Sequence, residues 1–194
     1  DDPIKLRVST VGRLLPDVEG KIVDPETGAD LPPDTQGEIV TRSACIMAGY
    51  YKMEEATAQA IDADCWLHTG DLGVVDANGY FKVTGRIKDM IIRGGENIYP
   101  RELEEFLFTH PKVMNVQVVG VADARYGEQV LAAIQLKNGM SATADEFIEF
   151  CTGKIARHKI PRYWEFVEDY PMTASGKVQK YKLKEIFDNK YKAG

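Results

Sequence analysis

The sequence is poor in the residues from which disulfide frameworks and zinc sites are built, with three cysteines and three histidines in 194 residues. Cys45, Cys65 and Cys151 are widely spaced, odd in number and without Cys-x-x-Cys or histidine spacing. That excludes a disulfide or zinc scaffold and predicts reduced thiols in a cytosol-like compartment, the cytoplasm being the expected location. No apolar run approaches the ~18 residues of a membrane span, and no signal-peptide pattern opens the chain. Positive charge is in deficit: the net charge is −6. A field of that sign does not collect phosphates, so nucleic acid is not an expected partner. Basic residues still outnumber acidic ones over residues 154–192, either as a surface for an anionic ligand or as solvated helix faces. The remainder, 44% hydrophobic and 28% charged, suits an ordinary globular protein with core for one large or two small domains. The first residue is Asp1, and the expectation is a piece of a longer chain, with any targeting sequence on the remainder.

The two halves are written differently. Lys21–Asp24 is a short strand closed by Pro25-Glu26-Thr27-Gly28, a turn sequence, and Gly37–Arg42 returns as a β-branched strand. Residues 4–42 are therefore expected to be an all-β scaffold. Glu54–Ile61 reads as a short helix. Asp76-Ala77-Asn78-Gly79 joins Leu72–Val75 to Tyr80–Thr84 as a hairpin.

Beyond residue 100 the periods lengthen. Pro100–Leu107 opens with proline and early acids and stacks Leu103, Phe106 and Leu107 at helical spacing. Val113–Val121 and Gln129–Leu136 are strand-like, separated by a polar loop. Ala144–Arg157 is an amphipathic helix with Phe147, Ile148, Cys151 and Ile155 on one stripe, which makes Cys151 a core residue and not a nucleophile. Tyr163–Val167 is the last clear strand. Three strands and their helices predict a small three-stranded sheet covered by helices.

Between the halves lies Gly85-Arg86-Ile87-Lys88-Asp89, then Met90-Ile91-Ile92-Arg93-Gly94-Gly95-Glu96-Asn97-Ile98-Tyr99-Pro100-Arg101. Gly94-Gly95 has two readings: the turn of a hairpin, or a bare surface that another backbone or a ligand can approach. Lys88 reads as an exposed turn lysine within this charged joint. Upstream, Asp71 follows Gly70 on a tight turn, where a carboxylate can accept two hydrogen bonds from a vicinal diol; Thr-Gly-Asp is equally a common turn. Arg86 offers a planar donor fork for the same diol or for Asp71 itself. His68 is an exposed loop residue, a satisfied hydrogen-bonder or a general base. Lys177, on Ser175-Gly176-Lys177, is a surface lysine or a point charge that can be inserted into a site.

Three of these segments agree in order and spacing with one family. Thr69-Gly70-Asp71, Gly85-Arg86-Ile87-Lys88-Asp89 and Ser175-Gly176-Lys177 resemble motifs of the adenylate-forming enzymes: acyl- and aryl-CoA synthetases, luciferases and peptide-synthetase adenylation domains. The likeness runs from about Val11 to about Phe187, and Gly94-Gly95-Glu96-Asn97-Ile98-Tyr99-Pro100 is most similar to fatty acid–CoA ligases. The fold it implies is α+β: a small all-β, distorted barrel-like subdomain over residues 1–87, then a compact mobile α+β lid over residues 88–194. The roles it implies are ribose contacts for Asp71 and Arg86, a hinge at Lys88, CoA contacts at Gly94, Gly95 and Glu96, and catalysis of adenylation by Lys177.

The activity so implied is ATP-dependent: a carboxylic acid, taken to be a fatty acid, becomes an acyl adenylate with release of pyrophosphate, and CoA then displaces AMP. ATP with magnesium and CoA are the implied cofactors and co-substrates. The sequence departs from the family by absence, with no Ser/Thr/Gly-rich phosphate loop ending in lysine and no Tyr-Gly-x-Thr-Glu segment. Metal ligands and acyl pocket are thus expected on a missing N-terminal domain, and this chain alone is expected to be inactive. Alternatives are an aryl-CoA ligase, an amino-acid adenylation domain, or a non-catalytic lid-type binding module.

Overall fold

The computed structural model describes residues 2–191 and divides into two compact units, Asp1–Lys88 and Asp89–Gly194. In the first, β1 (Glu19–Val23), β2 (Gly37–Arg42), β3 (Leu67–Val75) and β4 (Phe81–Arg86) form a four-stranded antiparallel sheet in that order. Its core gathers Ile22, Ile39 and Phe81, with Leu31, Val75 and Val83 packed against them. The β3–β4 hairpin turns where the sequence predicts. Asp76 Oδ1 accepts the N–H groups of Asn78 and Tyr80, and Gly79 takes φ 81°.

Two expectations are corrected here. Residues 4–42 are not all β, because α1 (Ile4–Ser9) forms immediately after Pro3 and buries no residue. The sheet is also open and not barrel-like. β1 and β4 are its edges, each extended only by an isolated bridge, Val23 to Asp30 and Phe81 to Gly12, and no β1–β4 pairing occurs among the described residues. Four strands are too few to close around a packed interior. The helix expected over Glu54–Ile61 is α2 (Glu54–Ala60).

The second unit is built on a long antiparallel hairpin, β7 (Val113–Asp123) against β8 (Gly127–Leu136). Alternate residues serve opposite faces. Val116, Val118, Val130, Ala132 and Ile134 face α3 (Pro100–Phe108) and α4 (Ala144–Cys151), meeting Leu103, Leu107, Phe147 and Cys151. Val119, Val121, Leu131 and Ala133 face α5 (Lys180–Tyr191), meeting Leu183, Phe187 and Tyr170. A strand covered on both faces has no polar side to keep, so Val130–Ile134 runs apolar without interruption at 0% exposure.

The sheet has five strands, not the three expected. β9 (Tyr163–Phe166) pairs with β8 in parallel, and β5 (Ile91–Arg93) and β6 (Glu96–Ile98) form a hairpin of three-residue strands too short to leave a periodic signal. The helix expected over Ala144–Arg157 stops at Cys151, because Gly153 at φ 76° turns the chain and the Lys154 N–H closes back on the Cys151 carbonyl. Burial pushes the Cys151 thiol up to about 11, in keeping with a core role. β7 is the edge of the sheet, and three of its amides are taken by side chains: Val116 by Asn115, Val118 by Glu104 and Ala122 by Asp188, at 2.7–2.8 Å.

His110 sits between α3 and α4 at 5% exposure. Its ring packs on Phe147 and Phe150 at 4.6 and 4.8 Å, and its Nδ1 accepts the Lys112 N–H. Burial holds its pKa below the ordinary value, against the pull of Glu146 and with the help of Lys112 and Lys154. The folded state therefore binds a proton less readily than the unfolded chain, whose histidine titrates near ~6.5. Stability is complete above that pH and is lost as pH falls below it. Thermal unfolding should show a Tm that drops between about pH 7 and 5, and the drop should shrink in His110→Gln. An unchanged slope would place the acid sensitivity elsewhere. Phe147→Ala, at a site with no exposure, should cost about 3–5 kcal/mol in urea unfolding.

Candidate functional site

The Thr69-Gly70-Asp71 turn lies inside a strand. Gly37 and Glu38 of β2 pair with Gly73 and Leu72, and Val40 and Thr41 pair with His68 and Leu67. Ile39 alone therefore opposes residues 69–71, and β3 bulges outward there. Such bulges re-aim side chains and leave backbone groups unpaired. Three backbone groups at the bulge are met by side chains. Thr69 Oγ1 donates to the Ile39 carbonyl (2.7 Å) and accepts the Asp71 N–H (3.1 Å). Gly70, at φ 71°, donates its N–H to Glu38 Oε1 at 2.9 Å. The other oxygen of Glu38 meets His68 Nδ1 at 2.8 Å, and His68 Nε2 lies 3.8 Å from Asp62. Of the three readings of His68, the geometry is that of a satisfied hydrogen-bonder. Glu38 is 6% exposed, and deleting an acceptor in such a position leaves a donor unpaired at about 1–3 kcal/mol.

The bulge aims Asp71 at Arg86, its register partner on β4, and Arg86 Nε donates to Asp71 Oδ1 at 2.9 Å. Arg86 is 69% exposed at the side chain and Asp71 33%. A pair that open contributes little to stability and exchanges readily for another partner. Lys88 follows on a short 3-10 turn, Ile87–Asp89, with its side chain exposed.

Gly94 and Gly95 form the two-residue turn between β5 and β6, at φ 60° and 87°, while Arg93 and Glu96 pair at its base. Positive φ at both positions is the hairpin turn that glycine supplies without strain. The Gly94 N–H donates to the Tyr126 carbonyl at 2.8 Å, and a Cβ on Gly94 would stand 3.2 Å from the Tyr126 ring. Gly95 and Glu96 face solvent.

Lys177 sits on a second tight hairpin. Thr173 and Lys177 pair through N–H to O=C at 2.8 Å, and Gly176 takes φ 79°. Thr173 Oγ1 accepts the Lys177 N–H at 3.0 Å. The base of this hairpin is pinned on both sides. Before it, buried Tyr170 donates its hydroxyl to the Ala133 carbonyl at 2.9 Å, and burial raises that phenol far above its ordinary pKa. After it, Lys180 donates to Glu104 at 2.6 Å, and Glu104 also accepts the Val118 N–H. Lys177 itself is exposed and makes no ion pair among the described residues; on the adjoining helix Lys180, Lys184 and Lys190 are paired and Lys182 is not. No group of three or more His, Cys, Asp or Glu side chains among the described residues could hold a metal ion.

Residues 1–51 match the AMP-binding enzyme family and residues 102–177 match the AMP-binding enzyme C-terminal domain. The protein YngI of Bacillus subtilis (strain 168) is 59% identical over 185 residues, which is 95% of this chain and 34% of YngI. The chain belongs to the AMP-binding, adenylate-forming enzymes. The mitochondrial medium-chain acyl-CoA ligase ACSF2 of Danio rerio is 51% identical over 184 residues, 95% of this chain and 30% of that protein. Among solved structures, ATP-bound MatB from Rhodopseudomonas palustris superposes with a TM-score of 0.90 at 36% identity, covering 94% of this chain and 36% of MatB. The chain spans about a third of the length of the curated relatives it matches.

The structure thus brings Asp71 and Arg86 together in the first unit, and places Gly94, Gly95, Glu96 and Lys177 on two exposed hairpins of the second. Glu38, Glu104, Tyr170 and Lys180 escape a reading of the sequence. Each is a polar residue inside an otherwise ordinary strand or helix pattern, and only the fold reveals its partner. The two glycines of the β5–β6 turn give a direct check. Gly95→Ala should cost about 1–2 kcal/mol in urea unfolding from its positive φ alone. Gly94→Ala should cost more, because its Cβ also meets Tyr126. Equal or negligible losses would rule out this turn geometry.

Proposed function

We propose that the chain is the C-terminal part of an AMP-forming fatty acid–CoA ligase, residues 1–87 completing its large nucleotide-binding domain and residues 88–194 forming its mobile lid. The observation that carries this reading is the 51% identity, along 95% of the chain, with a medium-chain acyl-CoA ligase. A lysine left without a counter-ion among the described residues, on a hairpin with a pinned base, supports it chemically. A carboxylate oxygen attacks the α-phosphorus of ATP, the bond to the pyrophosphate oxygen breaks, and an acyl adenylate forms. Negative charge gathers on the carboxylate and α-phosphate oxygens as they approach, and the Lys177 ammonium stabilises it. Asp71 accepts from the ribose hydroxyls and Arg86 steadies the same sugar, trading their mutual bond for the ligand.

Lys88 is the hinge about which the lid turns between the two half-reactions. Its exposed side chain loses no packing in either state. The β5–β6 hairpin then receives CoA, where Gly94 and Gly95 let the pantetheine approach bare backbone beside Glu96, and the thiol displaces AMP. Magnesium accompanies ATP, with its ligands outside this chain. The three free cysteines suit a reducing, cytoplasmic setting.

The test uses the enzyme that contains this chain, with pyrophosphate release and thioester formation assayed separately on medium- and long-chain acids. Lys177→Ala should lower pyrophosphate release by roughly 10²–10³, as removal of one stabilising donor does. Thioester formation from supplied acyl adenylate should persist. Equal loss of both steps would make the lysine structural, and no loss would refute the assignment. The 194-residue chain alone should release no pyrophosphate from ATP and a fatty acid.

A further inference from the structure

We infer that Glu38 and His68 are positioning residues for Asp71: one buried carboxylate, braced by an imidazole, holds the bulge that presents the aspartate. The bulge places two more residues on β3 than β2 can pair, so the ladder itself cannot fix its shape. Glu38 is the side chain that reaches across. One oxygen takes the N–H of Gly70, immediately before Asp71, at 2.9 Å, and the other takes His68 Nδ1 at 2.8 Å. A carboxylate only accepts, so Nδ1 carries the proton and the imidazole fixes the rotation of the carboxyl group. Asp62, 3.8 Å from Nε2, lies on the far side of the ring. Gly70 at φ 71° has open space where a Cβ would stand, so neighbouring side chains do not hold the turn in place. Its position depends on Glu38 and on Thr69, whose hydroxyl meets the Ile39 carbonyl. A carboxylate kept at 6% exposure for two hydrogen bonds is costly to bury and otherwise unexplained by the core around it.

The consequence for ligand binding rests on the ribose role proposed for Asp71, so the experiment separates the two. In this chain, amide hydrogen exchange at Gly70, the Arg86 Nε–H resonance and the His68 ring nitrogens are followed by NMR. Glu38→Ala should speed Gly70 exchange between about fivefold and a hundredfold and shift Arg86 Nε–H. Glu38→Gln keeps an acceptor for Gly70 but turns an amide NH₂ toward His68, so Gly70 protection should return while the imidazole switches to its Nε2–H form. Should Glu38→Ala fail to fold, Glu38→Gln decides through that switch. Unchanged Gly70 protection in a folded Glu38→Ala, or an Nδ1–H imidazole in Glu38→Gln, would overturn the inference. In the enzyme containing this chain, Glu38→Ala should raise the KM for ATP about tenfold with kcat held, and Glu38→Gln should restore it. NMR changes without a KM change would keep the positioning role and remove the ribose role.

Discussion

Pairing between β7 and β8 is the constraint on which the second unit depends. Its alternating side chains must bury two faces at once, which fixes the register. A slip of one residue would exchange the partners of α3 and α4 for those of α5. Everything of chemical interest on this unit is attached to that ladder. Tyr170 reaches the Ala133 carbonyl on β8, Glu104 reaches the Val118 amide on β7, and Gly94 meets the Tyr126 carbonyl in the β7–β8 loop. The Lys177 hairpin is thereby held at its base, and the β5–β6 hairpin is held at Gly94 while Gly95 and Glu96 face solvent. A group that must act in one state and withdraw in another is well served by that division.

The first unit solves a different problem. There extra residues on β3 turn a carboxylate out of a regular strand, and Glu38 and Thr69 take the amides of Gly70 and Asp71. The cost falls on the interior, where an acid must be buried, and the gain is an aspartate whose backbone is held and whose side chain has only a weak, exposed partner.

Much of this was legible in the sequence because it is written locally. Pro100, Gly79 and Asp76 act within their own turns, and the β-branched runs of β7 and β8 announce buried strands. The three motifs in register pointed to the family, which the relatives bear out, and Gly94-Gly95 was readable as a hairpin turn. What stayed hidden depends on distance along the chain. Glu38 and His68 are thirty residues apart and Lys180 and Glu104 seventy-six, and no spacing rule joins them. β5 and β6 are too short for a period, and α5 buries only Leu183 and Phe187 while Tyr181 and Ile186 stay exposed. Helix α1 escaped because its residues suit a strand equally well and none of them is buried.

The side-chain caps along β7 carry a further meaning. A long apolar edge with free amides is a template on which another chain can add a strand. Here Asn115, Glu104 and Asp188 occupy the amides of Val116, Val118 and Ala122, so a second copy finds few donors over that stretch. Two of the three are supplied from helices, however, and Asp188 arrives only with α5. Undocking α5 would therefore uncover the Ala122 amide. The last helix and the rim of the sheet are thereby coupled, and whatever loosens α5 also opens β7 to strand addition.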